Sequence, residues 1–99
     1  MDENTPSHPR AYRPKPGLRL RRIGAQYMIV DPVTGRADLS RVYTLNASAA
    51  FMWELLCSGV CTAPALCSRL SREYDADPSV VLRDVERQLL EWLSCGLVE

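Results

Sequence analysis

Four cysteines are the side chains that could most readily hold a metal ion or act as nucleophiles, and they are Cys57, Cys61, Cys67 and Cys95. The first three are spaced C-x3-C-x5-C, and the fourth lies far downstream. This spacing matches neither the paired C-x2-C units of zinc sites nor the cysteine clusters of iron–sulfur proteins. We therefore expect free thiols, no bound metal and no cofactor.

The other reactive groups do not form a catalytic set. The one histidine, His8, lies among prolines near the start of the chain, which leaves no Ser-His or Cys-His pair on a rigid element. Asp75 and Asp77 precede Pro78, and this order is typical of a helix start with Asp77 as the N-cap. The five glycines are scattered singly, without the pattern of a phosphate-binding loop. The sequence predicts a protein that is not an enzyme.

Length and charge restrict the function further. The 99 residues, with a formal net charge of zero, suffice for one small domain. Neutrality conceals an asymmetry, because residues 1–45 hold eight Lys/Arg against four Asp/Glu, and residues 46–99 hold four against eight. Residues 1–17 contain four of the seven prolines among polar and basic residues, which predicts a disordered basic tail before a domain at 18–99. Because neither a secretory signal nor a membrane-spanning run is evident, we expect a cytoplasmic protein.

The elements follow from the hydrophobic periodicity. Segments rich in β-branched and aromatic residues predict strands over residues 18–23, 26–30 and 41–45. At Asn46 the spacing of the hydrophobic residues changes from a period of two residues to one of about 3.6 residues. Helices are predicted over residues 47–57, 62–74 and 79–95. The strand connections are too short for parallel crossovers. The predicted fold class is α+β: a three-stranded antiparallel β-meander followed by three helices, in a winged helix-turn-helix-like arrangement.

The third helix has a broad apolar surface. One stripe, assigned to the core, consists of Val81, Val85, Leu89 and Trp92. The flank with Leu82 and Leu93 extends the apolar surface beyond what packing on a small sheet requires. This flank is either a longer seam with the other helices or the wall of a binding groove, and the sequence favours neither.

The segment YTLNASAAFMWELL, residues 43–56, followed by Gly59 and Thr62, resembles the PqqD family. In that family a strand ending in Leu-Asn opens a helix with a Trp-x-Leu-Leu pattern, and a glycine and a capping threonine follow. The end of the chain is similar too, with Tyr74-Asp75-Ala76-Asp77, Asp84-Val85, Leu89 and Gly96-Leu97-Val98. The resemblance covers roughly residues 18–99. Gln88, where relatives commonly carry a large apolar residue, and the basic tail depart from the family's pattern.

The resemblance implies a peptide-binding function. PqqD-like proteins, also called RiPP recognition elements, bind the leader segment of a ribosomally made precursor peptide. They present it to a modifying enzyme, such as a radical SAM enzyme or a lasso-peptide protease. The leader adds as a strand to the third strand and lies against the third helix. Carried over, the strand edge is Arg41, Val42, Tyr43 and Thr44, and the helix wall is Leu82, Glu86, Leu89 and Leu93. With the opposite helix flank, Asp84, Arg87 and Glu91 face the peptide.

Two other functions compete with this interpretation. A homodimerising structural module would use the strand edge and the apolar flank for self-association. A winged-helix DNA-binding protein is disfavoured, because residues 75–95 hold five acids against two arginines, and these acids would repel phosphates. We expect neither a nucleic acid nor a membrane as a partner.

Overall fold

A computed structural model describes residues 10–30 and 43–99. Three strands, β1 (Arg19–Ile23), β2 (Gln26–Val30) and β3 (Tyr43–Leu45), form one antiparallel sheet in the order β1-β2-β3. Three helices follow, namely α1 (Ala47–Cys57), α2 (Ala63–Tyr74) and α3 (Pro78–Ser94). The predicted α+β class and element order are confirmed. Of the predicted third strand, Arg41 and Val42 lie outside the described residues.

A tight turn joins β1 and β2. Only Gly24 and Ala25 separate the paired residues Ile23 and Gln26. Gly24 has a φ of +62°, in the left-handed region, whereas Ala25 does not share this conformation. A positive φ at the first central residue alone is the pattern of a type II′ turn, whose twist matches that of antiparallel strands. The turn therefore sets the register of the hairpin, with Arg21 opposite Met28.

Each helix begins at a capping side chain. Asn46 accepts a hydrogen bond at Oδ1 from the Ala49 amide at 2.8 Å, which ends β3 and starts α1 within one residue. Thr62 caps α2, and Asp77 caps α3 by accepting from the Ser79 amide at 2.9 Å. Backbone and hydroxyl hydrogen bonds from Ser79 lower the pKa of the Asp77 carboxyl. The predicted capping role of Asp77 is confirmed, and these caps satisfy amides that helix starts leave unpaired.

The core lies between the inner face of the sheet and the three helices. Ile29 from β2, Trp53 from α1 and Leu66 from α2 are almost completely buried. On α3, Val85, Leu89 and Trp92 are buried and Val81 packs against the core, as the predicted stripe requires. Trp53 and Trp92 meet edge to face. The helices therefore share one hydrophobic core with the sheet.

Part of the segment before β1 pairs with the rest of the domain. Residues 1–9 lie outside the described residues, but Ala11 pairs with Thr62 and residues 13–15 pair with the end of the chain. The Arg13 amide donates to the Glu99 carbonyl at 3.1 Å, the Glu99 amide donates back at 2.9 Å, and the Lys15 amide donates to the Leu97 carbonyl at 3.0 Å. We refer to residues 10–15 as the arm.

The proline of the arm is compatible with this backbone pairing. In an antiparallel ladder only alternate residues direct their amides toward the partner strand. Arg13 and Lys15 occupy those positions, so Pro14, opposite Val98, needs no amide of its own. Tyr12 adds an apolar contact to the core, and its amide donates to the Cys61 carbonyl at 2.7 Å. The arm is held by backbone pairing, which leaves no hydrophobic pattern in the sequence.

Among the helices of the described residues, none is both long and apolar enough to cross a membrane.

Candidate functional site

The described part of β3 forms an edge of the sheet, since it pairs with β2 and with no other described strand. The two-residue turn makes Ile23 and Gln26 a hydrogen-bonded pair, and such pairs alternate along antiparallel strands. Tyr27 and Ile29 therefore direct their backbone groups toward β3, where they lie opposite Leu45 and Tyr43.

Thr44 takes the intervening position on β3. It lies opposite Met28, whose backbone groups serve the pairing with β1. The N–H and C=O of Thr44 consequently point away from the sheet, and the residue is exposed. These two groups are available to a further strand.

A cleft of about 310 Å³ separates this edge from α3. One side is formed by β3 and the start of α1, and the other by residues from the C-terminal half of α3 and the segment that follows. The lining residues are Tyr43, Thr44, Leu45, Asn46, Ala49, Gln88, Glu91, Trp92, Cys95 and Leu97. Because α-helical residues three and four apart share a face, Gln88, Glu91 and Cys95 form a polar row beside the buried Trp92.

A second cavity, of about 210 Å³, adjoins the cleft toward the start of α3. Asn46, Ala49 and Gln88 line both cavities. The second cavity is otherwise lined by Ser48, Met52, Leu70, Tyr74, Val81, Asp84, Val85 and Arg87. The two cavities together form a groove along α3, with Gln88 near its middle.

The structure brings only part of the predicted site together. Tyr43 and Thr44 line the cleft, whereas Arg41 and Val42 lie outside the described residues. Leu89 is buried in the core, with 1% of its surface exposed, and Leu93 is half-buried against the core. Neither of these two leucines lines the cleft.

The two remaining predicted wall residues also lie elsewhere. Leu82 lines a separate hollow against α2, together with Cys67 and Ser71. Glu86 is exposed and does not line the cleft. None of the four predicted wall residues, Leu82, Glu86, Leu89 and Leu93, lines the cleft, and their role in binding stays a prediction. The opposite flank faces the groove, with Glu91 in the cleft and Asp84 and Arg87 in the adjoining cavity.

Two pairs of neighbouring side chains determine the charge along this flank. Arg87 Nη2 lies 3.1 Å from Asp84 Oδ1, so these two charges offset each other at the surface. One turn further along, Gln88 Nε2 donates to Glu91 Oε1 at 3.5 Å. The Glu91 carboxylate is thus held by a neutral partner and keeps its negative charge toward the cleft.

Sequence reasoning missed seven cleft residues, namely Leu45, Asn46, Ala49, Gln88, Trp92, Cys95 and Leu97. The available signal was the polar row at helical spacing, Gln88, Glu91 and Cys95, next to the core residue Trp92. A polar row beside a buried aromatic residue marks the border of the core, which is where a groove opens.

The four cysteines differ in their exposure. All four thiols are free; Cys67 is buried and donates to the Pro78 carbonyl at 3.3 Å, while Cys57 and Cys95 are exposed. Partial burial, and secondarily the charge of Glu54, raises the pKa of the Cys57 thiol. Across residues 10–30 and 43–99, no group of three or more His, Cys, Asp or Glu side chains could hold a metal ion.

The chain is similar to one protein family and to three solved structures. The model of the PqqD family, described as coenzyme PQQ synthesis protein D, matches residues 26–98. None of the curated proteins matches the chain significantly.

Three solved structures share the fold. TbiB1 in complex with the TbiA(beta) leader peptide is 21% identical with a TM-score of 0.70, over 88% of this chain and 94% of that one. Lasso peptide synthetase B1 complexed with the leader peptide is 18% identical with a TM-score of 0.71, over 91% and 99%. The PqqD truncation of Methylobacterium extorquens PqqCD, a functional and stand-alone RiPP recognition element, is 22% identical with a TM-score of 0.70, over 90% and 88%.

Proposed function

The chain belongs to the PqqD family, and from this premise we propose that it is a non-catalytic adaptor. It binds the leader segment of a ribosomally made precursor peptide and presents that peptide to a modifying enzyme. Two proteins of the same fold are described as complexes with leader peptides, and a third as a RiPP recognition element. The modifying enzyme is a radical SAM protein or a lasso-peptide protease, and the complex assembles in the cytoplasm.

The observation that carries the proposal is the open edge of β3 beside the groove along α3. An extended peptide laid on this edge gains hydrogen bonds from the outward N–H and C=O of Thr44, whatever its side chains are. Every second side chain of the peptide then faces α3, because side chains alternate across a strand. The backbone contributes affinity, and the groove contributes selectivity.

The groove suits a strand with side chains of mixed character. The half-buried Tyr43 and the buried Leu45, Trp92 and Leu97 provide an apolar floor. Asn46, Gln88 and Glu91 add polar groups that fix the register of the peptide. Binding and presentation of this kind require no catalytic residue.

The test is a calorimetric titration of the full chain with a synthetic peptide. The peptide corresponds to the N-terminal part of a short open reading frame encoded beside this protein. We expect micromolar or tighter binding with one peptide per chain, and a scrambled peptide of the same composition should not bind. Absence of binding by every peptide encoded nearby would refute the proposal.

Self-association is the second candidate, because the β3 edge that could accept a peptide could also pair with a copy of itself. The two functions differ in what happens when peptide is added. The mass measured in solution should be that of one chain without peptide, and that of one chain with one peptide after peptide is added. No stable dimer across β3 should appear. A dimer that no peptide disturbs would support the structural module instead.

A further inference from the structure

We propose that Glu91 selects peptides carrying a lysine or arginine at one position that faces α3. This inference rests on the proposed function, since it concerns the chemistry of the peptide that occupies the cleft. It makes Glu91 a specificity-determining residue.

Glu91 differs in charge from every other cleft residue. Among the described residues that line the cleft, it is the one with a formal charge at neutral pH. The other described carboxylate nearby, Asp84, is paired with Arg87 at 3.1 Å and lines the adjoining cavity. The Lys15 Nζ lies beside Gly96, 3.7 Å from the position that a Cβ atom on Gly96 would occupy. Lys15 does not line the cleft.

Within the described residues, no basic side chain forms an ion pair with Glu91. Its hydrogen bond comes from the Gln88 amide at 3.5 Å, a distance at which the bond is weak. Gln88 therefore orients one carboxylate oxygen but neutralises none of the charge. The open cleft leaves Glu91 exposed, so water solvates the carboxylate when no peptide is present.

A bound peptide changes this environment. A strand laid between β3 and α3 covers the cleft and removes water from Glu91, whose neighbours Trp92 and Leu97 are buried apolar side chains. Removing water from a carboxylate is unfavourable unless a cation or several donors replace it. A lysine or arginine supplies both the charge and the donors, whereas an aspartate or glutamate at the same position adds repulsion.

The geometry restricts where this basic residue can lie. Neighbouring residues of a peptide strand face opposite sides of the sheet, so the basic residue and those two positions away face α3. Glu91 lies between Gln88 and Cys95 on one face of the helix. We therefore expect one basic position in the peptide. Two residues away in one direction, a small or apolar residue should face Cys95 and Leu97. Two residues away in the other direction, a residue should face Gln88 and Ala49.

The acidic helical part of the chain supports the same charge preference. Residues 46–99 carry eight Asp/Glu against four Lys/Arg. Among the described residues that line the groove, two are acidic, Asp84 and Glu91, and one is basic, Arg87. The charge of the groove lining and the local carboxylate thus favour the same peptide.

The test is selection from a displayed library of random peptides, about twelve residues long, on the full chain. Glu91→Gln removes the charge and Glu91→Lys reverses it, while Glu86→Gln removes a similar exposed charge from α3 outside the cleft. We expect wild-type chain and Glu86→Gln to enrich Lys or Arg at one position. Glu91→Gln should lose this enrichment, and Glu91→Lys should enrich Asp or Glu there.

Binding constants of a selected peptide complete the test. Replacement of its basic residue by Gln should weaken binding to wild-type chain at least about tenfold, and should change binding to Glu91→Gln by less than about twofold. Circular dichroism shows that each variant is folded. Selected peptides without a preference for Lys or Arg, or a preference for Lys or Arg that survives Glu91→Lys, would overturn the role of Glu91 and leave the proposed function standing. Recovery of no peptide by any folded variant would overturn the proposed function as well.

Discussion

Trp92 of α3 meets Trp53 of α1 edge to face, with ring centroids 5.3 Å apart and planes at 88°. Both side chains are buried, with 2% and 1% of their surfaces exposed. Trp92 also borders the cleft beside β3, so one side chain belongs to the core and to the wall of the candidate site. The position of α3 relative to β3 therefore depends on how these two rings pack.

We expect Trp92→Ala to destabilise the domain by about 3–5 kcal/mol, because it removes a large buried side chain and the edge-to-face contact. Trp92→Phe should cost less. The matched control is Leu90→Ala on the same helix, whose side chain is 63% exposed and whose loss should cost within about 0.5 kcal/mol. Urea denaturation followed by circular dichroism measures all three. Equal stability of Trp92→Ala and Leu90→Ala would contradict the packing described.

The elements were predictable from the sequence because each carries a local signal. Asn46 and Asp77 cap helices, Gly24 forms the hairpin turn, and α3 shows its core stripe in the 3.6-residue period. These features depend on a few neighbouring residues, and the structure agrees with them.

The site was less predictable, because its two walls belong to segments far apart in the sequence. The period of α3 identifies the apolar face, but which flank of that face lies beside β3 depends on tertiary packing. Leu82 and Leu93 are predicted groove residues; in the fold, Leu82 lies against α2 and Leu93 packs against the core. The pairing of the arm with residues 97–99 likewise depends on backbone groups that no side-chain pattern reveals.

Deletion of residues 1–15 should destabilise the domain by on the order of 2–4 kcal/mol, since it removes the arm's backbone hydrogen bonds and the Tyr12 contact with the core. Arg13→Ala is the control. It keeps the backbone pairing and loses only the exposed ion pair with Glu99 at 3.1 Å, so it should cost about 1 kcal/mol or less. Thermal and urea unfolding give both values. A deletion variant as stable as the full chain would show that the arm contributes nothing to folding.

Thr44→Pro should weaken peptide binding at least about tenfold, because it removes the amide that points to the open edge of β3. Pairing with β2 uses Tyr43 and Leu45, so the sheet should survive; proline is tolerated where a strand amide faces solvent. Thr44→Val keeps the amide and the β-branched shape, and should bind within about twofold of wild type. Calorimetry with the leader peptide compares the three chains.

Peptide chemistry provides an independent check if Thr44→Pro fails to fold. N-methylation of the peptide at single positions removes one amide at a time, and alternate positions should matter, because only every second residue of an added strand bonds to β3. Wild-type affinity in a folded Thr44→Pro chain, or an N-methylation scan without alternation, would argue against strand addition.

Cys95 offers a built-in reporter of occupancy, because its exposed thiol lines the cleft. At a peptide concentration about 100 times Kd, roughly one chain in a hundred is free, so alkylation of Cys95 should slow by up to about 100-fold. Cys57 is also exposed but lies outside the cleft lining, and its rate should not change. Mass spectrometry of digested protein, sampled over time, separates the two sites.

The Cys57 control has its own pH dependence. Partial burial and the charge of Glu54 raise the pKa of its thiol above the usual value for cysteine, so the reactive thiolate is scarce at neutral pH and alkylation is slow. Its rate should rise about tenfold per pH unit up to that pKa, and Glu54→Gln should speed it at fixed pH by removing one cause of the shift. Protection of Cys57 and Cys95 to the same extent would mean that the peptide binds without selecting the cleft.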